Sequence, residues 1–216
     1  MAAIRRPVTR VSGGQLRLVG GRRLRSPAGQ GTRPTTARVR EALMNILNTR
    51  LDDCHWLDLC SGSGVMGCEA LERGAARVVA IEHNPRTAAI CRDNLDMVAA
   101  ANGQGQSVQV IRQELVSWLS RGRPDHESGF SIVYFDPPYT AGLYNKTLGM
   151  LHRGGWVQPE GLLICEYSSR DGLECPSPWQ EQDRRRYGTT SLLMLSPPER
   201  CPGGTDSRRQ RTDQEA

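Results

Sequence analysis

The chain has 216 residues, enough for one main domain and a small appendage. Its net charge of +5 is unevenly placed: residues 1–50 hold eleven Arg against a single acid, Glu41, while the remainder sums to about −5, a split that points to a polyanion partner. Seven Cys with no CxxC or Cys/His ligand spacing exclude a disulfide framework and a zinc site, and with no apolar run near the ~18 residues of a membrane span, and none after Arg5 and Arg6, a cytoplasmic protein is expected.

In chain order, residues 1–12 form a flexible N-terminus, residues 13–34 a β-hairpin appendage, residues 35–198 the main domain and residues 199–216 a disordered tail. Within the appendage, Gln15 to Val19 alternates, Gly20-Gly21 supplies a turn and Arg22-Arg23-Leu24-Arg25 returns. Such an Arg-studded ribbon buries little, so it reads as a binding element with Arg22, Arg23 and Arg25 as candidate contacts to nucleic acid. Residues 35–49 form the first helix, with Thr35 or Thr36 as cap and Val39, Leu43, Ile46 and Leu47 on one face. Strands follow at 55–60, 77–82, 107–111, 130–135, 161–166 and 190–195. Helices alternate with them near 64–73, 85–101, 114–121 and 141–154. That alternation predicts an α/β fold with a parallel sheet covered on both faces, and its ligands sit at the carboxyl ends of the strands.

The first strand runs into Asp58-Leu59-Cys60-Ser61-Gly62-Ser63-Gly64-Val65-Met66-Gly67, in which Gly62, Gly64 and Gly67 spell GxGxxG. A carboxylate at the mouth of this loop, Asp58, would repel a pyrophosphate but suits the ammonium of a methionine moiety. This favours S-adenosylmethionine over a dinucleotide. Glu82 ends the second strand where an acid accepts ribose hydroxyls. Glu114, after the third, is placed to meet an adenine amino group or simply to begin a helix. Cys60 is counted with the cofactor-site residues and read as packing.

After the fourth strand stands Asp136-Pro137-Pro138-Tyr139. The prolines fix φ and lack N–H groups, so the neighbouring carbonyls are rigid. An exocyclic amine of a base is a poor nucleophile. The Asp136 carboxylate and the Pro137 carbonyl can hold its two hydrogens, orient its lone pair, and offset the charge that builds on nitrogen. Tyr139 offers a face on which a flipped base can stack. These three residues are the candidate catalytic set. No catalytic role falls to His55, His83, His126 or His152.

The order of these motifs resembles the amino-methyltransferases with a Rossmann-like sheet. The segment Arg33-Pro34-Thr35-Thr36-Ala37-Arg38-Val39-Arg40-Glu41 closely resembles the RPTxDRVRE signature of the bacterial 16S ribosomal RNA guanine-N2 methyltransferase family. The resemblance covers residues 13–195. It implies a seven-stranded sheet, mostly parallel with one antiparallel strand, preceded by a small β-hairpin. It also implies a monomer that acts on 16S rRNA within an assembling small subunit and has no membrane partner. Asp58, Gly62, Gly64 and Glu82 are then implied to line the S-adenosylmethionine site, with Thr35 and Arg40 between it and the RNA surface; Thr35 is counted with the cofactor-site residues, and Arg33, Arg38 and Arg40 with the RNA contacts. Ala37 departs from the family's Asp, and Glu114 stands where Asp or Asn is usual. Rival readings are a DNA adenine or cytosine amino-methyltransferase, for which the connections are short, an oxidoreductase, which leaves DPPY unexplained, and a non-catalytic RNA-binding assembly factor.

Overall fold

The computed structural model describes residues 16–27, 35–103, 105–124, 126–138 and 142–198. The expected flexible N-terminus and disordered tail fall outside these residues, as do Arg33 and Tyr139.

Helix α1 spans Ala37–Leu47. Thr36 caps it, its hydroxyl accepting from the Val39 N–H at 3.4 Å, which leaves the Thr35 side chain for other partners. Its buried stripe is Val39, Arg40, Leu43, Met44 and Leu47, whereas Ile46, expected inside, is 40% exposed. The helix is rotated toward Arg40 because that guanidinium has a buried partner, described below.

Strands β1 (His55–Leu59), β2 (Arg77–Glu82), β3 (Ser107–Arg112), β4 (Phe130–Phe135), β5 (Val157–Ser168), β6 (Gln180–Tyr187) and β7 (Thr190–Ser196) form one sheet in the order β3-β2-β1-β4-β5-β7-β6. The first five are mutually parallel, and β7 runs antiparallel to both β5 and β6. The sheet is therefore mostly parallel with one antiparallel strand, as expected. Helices α2 (Val65–Leu71), α3 (Pro85–Asn102), α4 (Leu115–Ser120) and α5 (Tyr144–Arg153) supply the crossovers.

Period-2 alternation sorts the strand side chains between two cores. Trp56, Val78, Ala80, Ile132, Tyr134 and Ile164 pack under α1, α2 and α3. Leu57, Leu59, Val79, Val133, Phe135 and Leu163 pack under α4 and α5. Continuous apolar runs are what a sheet covered on both faces requires.

Two expectations need correction. Strand β6, QEQDRRRY, was not expected: it has no apolar alternation, and none of its residues is fully buried. It forms because the unsatisfied edge of β7 supplies a hydrogen-bonding template. Among the described residues the N-terminal appendage is a turn with a single antiparallel bridge and no assigned strand, while residues 13–15 and 28–34 of the expected hairpin lie outside them. Arg17 and Arg23 make an isolated antiparallel bridge, and the Leu18 N–H donates to the Arg22 carbonyl at 2.9 Å. Nor does it bury little: Leu18 and Leu24 enter the core beneath α1, α2 and α3.

Candidate active site

Parallel register brings the strand ends together. Leu59 lies opposite Ile81 on one side and Phe135 on the other, so the chain leaves β1, β2 and β4 at the same level. Phe135 in turn lies opposite Cys165 of β5. By alternation, Asp58, Glu82 and Glu166 share the α1–α3 side of the sheet with Tyr134. This is the crevice at the β1/β4 switch point, where ligands of open α/β sheets bind.

The glycine loop is shaped by two different needs. Gly62 (φ +54°) and Gly64 (φ +75°) are left-handed, a conformation that favours glycine. A Cβ on Gly62 would meet nothing, whereas one on Gly64 would lie 2.7 Å from Cys91 Sγ of α3. Gly67 has an ordinary φ, but a Cβ there would come within 2.8 Å of Val78 Cγ1, so it allows α2 to approach the sheet. Glu82 clamps the loop: its Oε2 accepts from the Gly62 N–H at 3.0 Å, and its Oε1 from the Asn84 N–H at 2.8 Å. Cys60, also left-handed at φ +61°, begins the turn and packs against the core under α4 and α5. Burial, with Glu82 and Asp136 nearby, pushes its thiol up to about 12.

Asp58 is 2% exposed, and its Oδ2 has no hydrogen-bond partner. Burial pushes its carboxyl up to about 8, opposed by the Gly67 N–H and reinforced by Glu82. The unfolded chain binds that proton only below about pH 4. Asp58 therefore contributes stability at low pH that is lost as the pH rises through about 8. An orphaned buried carboxylate oxygen beside a glycine turn fits a ligand that brings a cation and hydrogen-bond donors.

Asp136 leaves β4 partly buried, Pro137 is buried and Pro138 is exposed. Burial first, then Glu166 and Asp58, drive the Asp136 carboxyl well above the usual carboxylate range, against the Thr35 hydroxyl 3.5 Å from its Oδ2. Thr35 thus stands beside the candidate catalytic carboxylate. Glu114 has both carboxylate oxygens on its own helix, accepting from the Val116 and Ser117 N–H groups at 3.0 and 2.7 Å, and it is exposed. Its local role is the N-cap of α4. Among the described residues no group of His, Cys, Asp and Glu could hold a metal, and no helix is long and apolar enough to cross a membrane.

The family model described as conserved hypothetical protein 95 matches residues 9–196. The ribosomal RNA small subunit methyltransferase D of Escherichia coli K12 is 36% identical over 186 residues, covering 84% of this chain and 89% of that protein. Its namesake from Haemophilus influenzae is 29% identical over 185 residues, covering 84% and 93%. A solved structure of a methyltransferase candidate from Escherichia coli superposes with a TM-score of 0.70 at 31% identity, covering 87% of this chain and 100% of that one. The chain belongs to the ribosomal RNA small subunit methyltransferase D family.

Within this family member, the arginines foreseen as RNA contacts separate into groups. Arg23 and Arg38 are exposed. Arg22 is paired with Glu72 of the chain following α2, and Arg25 with Asp93 of α3. Arg40 is corrected: its side chain is 4% exposed and cannot face RNA. Its Nε donates to Glu69 at 3.3 Å, Nη1 to the Thr35 carbonyl at 2.7 Å and Nη2 to the Arg17 carbonyl at 2.5 Å. Glu69, wholly buried, draws it inward.

Sequence reasoning missed Glu69 and Glu166. Both are acids inside apolar runs, EAL of α2 and LLICEY of β5. That pattern is a usable signal, because a carboxylate is almost never fully buried without a partner.

Proposed function

We propose that the chain transfers a methyl group from S-adenosylmethionine to the exocyclic N2 amine of a guanine in 16S ribosomal RNA. The observation that carries this reading is the adjacency of Asp58 and Asp136 on neighbouring strand ends, close enough that the Asp58 carboxylate helps to raise the proton affinity of Asp136. A carboxyl group suited to a cationic donor and an acceptor suited to an amine therefore stand at the ends of adjacent strands. Family membership supports the rRNA substrate, and the exposed guanidiniums of Arg23 and Arg38 suit a phosphate backbone.

When bound, S-adenosylmethionine supplies an electrophilic methyl group on a positively charged sulfur. Asp58 would take its ammonium, and Glu82 would accept its ribose hydroxyls with the lone pairs left after the Gly62 and Asn84 bonds. Gly62 and Gly64 let the backbone come close. Asp136 and the Pro137 carbonyl hold the amine hydrogens of a guanine that has left its stack, with Tyr139 as the stacking face.

Two measurements test the reading. Asp58 is mostly protonated at pH 7 in the free protein, and an ammonium against it favours the ionised form. Cofactor binding at pH 7 is therefore expected to expel up to about one proton, and affinity to rise toward about pH 8 and to fall above it as the donor's own α-ammonium, with an ordinary pKa of about 8, loses its proton. Titration calorimetry in buffers of different ionisation heat reads this directly; binding without proton release removes Asp58 from the ammonium site. For the substrate, mass mapping of small-subunit rRNA from cells lacking the protein is expected to show one guanine without its N2 methyl. An unchanged map, or a loss at another kind of base, rejects the assignment.

A further inference from the structure

Glu166 has no part in the reaction as described so far, yet it lies against the candidate catalytic carboxylate. Phe135 and Cys165 are partners across β4 and β5, so Asp136 and Glu166 follow them side by side. Glu166 is 3% exposed. Its Oε2 accepts hydrogen bonds from the Tyr134 hydroxyl and, at 3.0 Å, from the Thr35 hydroxyl. The Tyr144 hydroxyl of α5 donates to the Glu166 carbonyl at 2.6 Å and fixes the backbone beneath it. Thr35 Oγ1 is also 3.5 Å from Asp136 Oδ2. One hydroxyl, with one proton, therefore bridges two carboxylates.

We propose that Glu166 is a positioning residue for methyl transfer, a buried carboxylate that orients Asp136 through Thr35 and by its charge strengthens Asp136 as a base. This rests on the role given to Asp136 above. The Tyr134 and Thr35 hydroxyls both aim their protons at the same Glu166 oxygen and fix that carboxylate in place. The Thr35 proton lies mainly toward the nearer Glu166 and only weakly toward Asp136, which holds Asp136 in place and leaves its lone pairs largely to the substrate.

The groups facing Asp136 are Asp58 and Cys60 at the end of β1, Tyr134 of its own strand, Glu166 of β5 and Thr35 before α1. After burial, Glu166 is the largest cause of the upward drive on the Asp136 carboxyl. The chemistry benefits. As the N–CH3 bond forms and the S–CH3 bond breaks, positive charge passes from sulfur to nitrogen, and one N–H proton leaves to Asp136. A base tuned toward neutrality takes that proton better than an ordinary carboxylate.

The test is the pH dependence of kcat/KM for Glu166→Gln, which keeps the size and one acceptor oxygen but removes the charge. The acidic limb is expected to move down by about one pH unit, and the plateau kcat to fall about tenfold, with cofactor affinity by calorimetry unchanged. Tyr134→Phe removes one donor from Glu166 and is expected to move the limb the same way by less. It decides the matter if the first variant fails to fold. A limb that stays at the wild-type position in the folded variants overturns the proposal, even where melting temperature falls, because a purely structural residue changes stability and not the limb. Asp136→Ala is measured alongside. If it is inactive while the limb does not move, only the proposal for Glu166 fails. If it is fully active, the reading of Asp136 fails with it.

Discussion

Asp136→Ala is expected to lower kcat by about 10²- to 10⁴-fold, the usual size of losing a positioned base together with its charge stabilisation. Affinity for S-adenosylmethionine should stay within a few-fold, because the proposed ammonium and ribose positions are those of Asp58 and Glu82. The fold gives no reason for collateral damage. Asp136 has one long contact, the Thr35 hydroxyl at 3.5 Å, and sits against two other carboxylates. Its folded-state proton affinity is raised, so the stability it contributes is present at acid pH and is lost as the pH rises through its folded-state titration. Removing it should therefore leave the protein as stable as wild type or more so in alkaline buffer. Single-turnover assays and melting curves at two pH values check both halves. Wild-type turnover would refute the role, and a large drop in melting temperature at alkaline pH would mean the carboxylate holds the fold instead.

The largest effect on stability is expected far from the chemistry, at Glu69→Ala. Glu69 is entirely buried on α2. Its Oε1 accepts from the Val19 N–H at 2.9 Å and from Arg40, and its Oε2 accepts from Arg73 at 2.8 Å. Truncation strands the buried Arg40 cation without a counter-charge and orphans a backbone donor, which costs about 3–5 kcal/mol. For a domain of this size each kcal/mol is worth roughly 2–4 °C, so the melting temperature should drop on the order of 10 °C. Pairing the change with Arg40→Met should restore part of the loss, since the two groups are one unit and their costs do not add. Thermal and urea unfolding measure it; a shift under about 2 °C would show that water or neighbouring groups compensate.

Where the sequence was legible, local pattern decided the structure. RVVAIE and FSIVYF are apolar runs between turn signals, and their predicted bounds, 77–82 and 130–135, are those observed. QEQDRRRY is the opposite case, a strand made by its neighbour's unpaired edge with nothing in its own pattern to announce it. The expected site acids depended only on position at strand ends, so Asp58, Glu82 and Asp136 could be named. Glu166 could not be attached to them, because its meaning depends on β5 lying beside β4, and strand order is not written locally. Arg40 misled for a similar reason. It shares the helix face of Val39 and Leu43, but a buried acid on a different helix was needed to draw it in.

The crevice gathers the carboxyl groups of Asp58, Glu82, Asp136 and Glu166 at one end of the sheet, an acidic well that becomes fully anionic only as the pH rises. On the proposed chemistry, such a well, once ionised, would repel nucleic-acid phosphates and admit an uncharged base. On the proposed chemistry the donor arrives bearing a sulfonium charge and departs without it. The electrostatic attraction is therefore weaker after the reaction than before it.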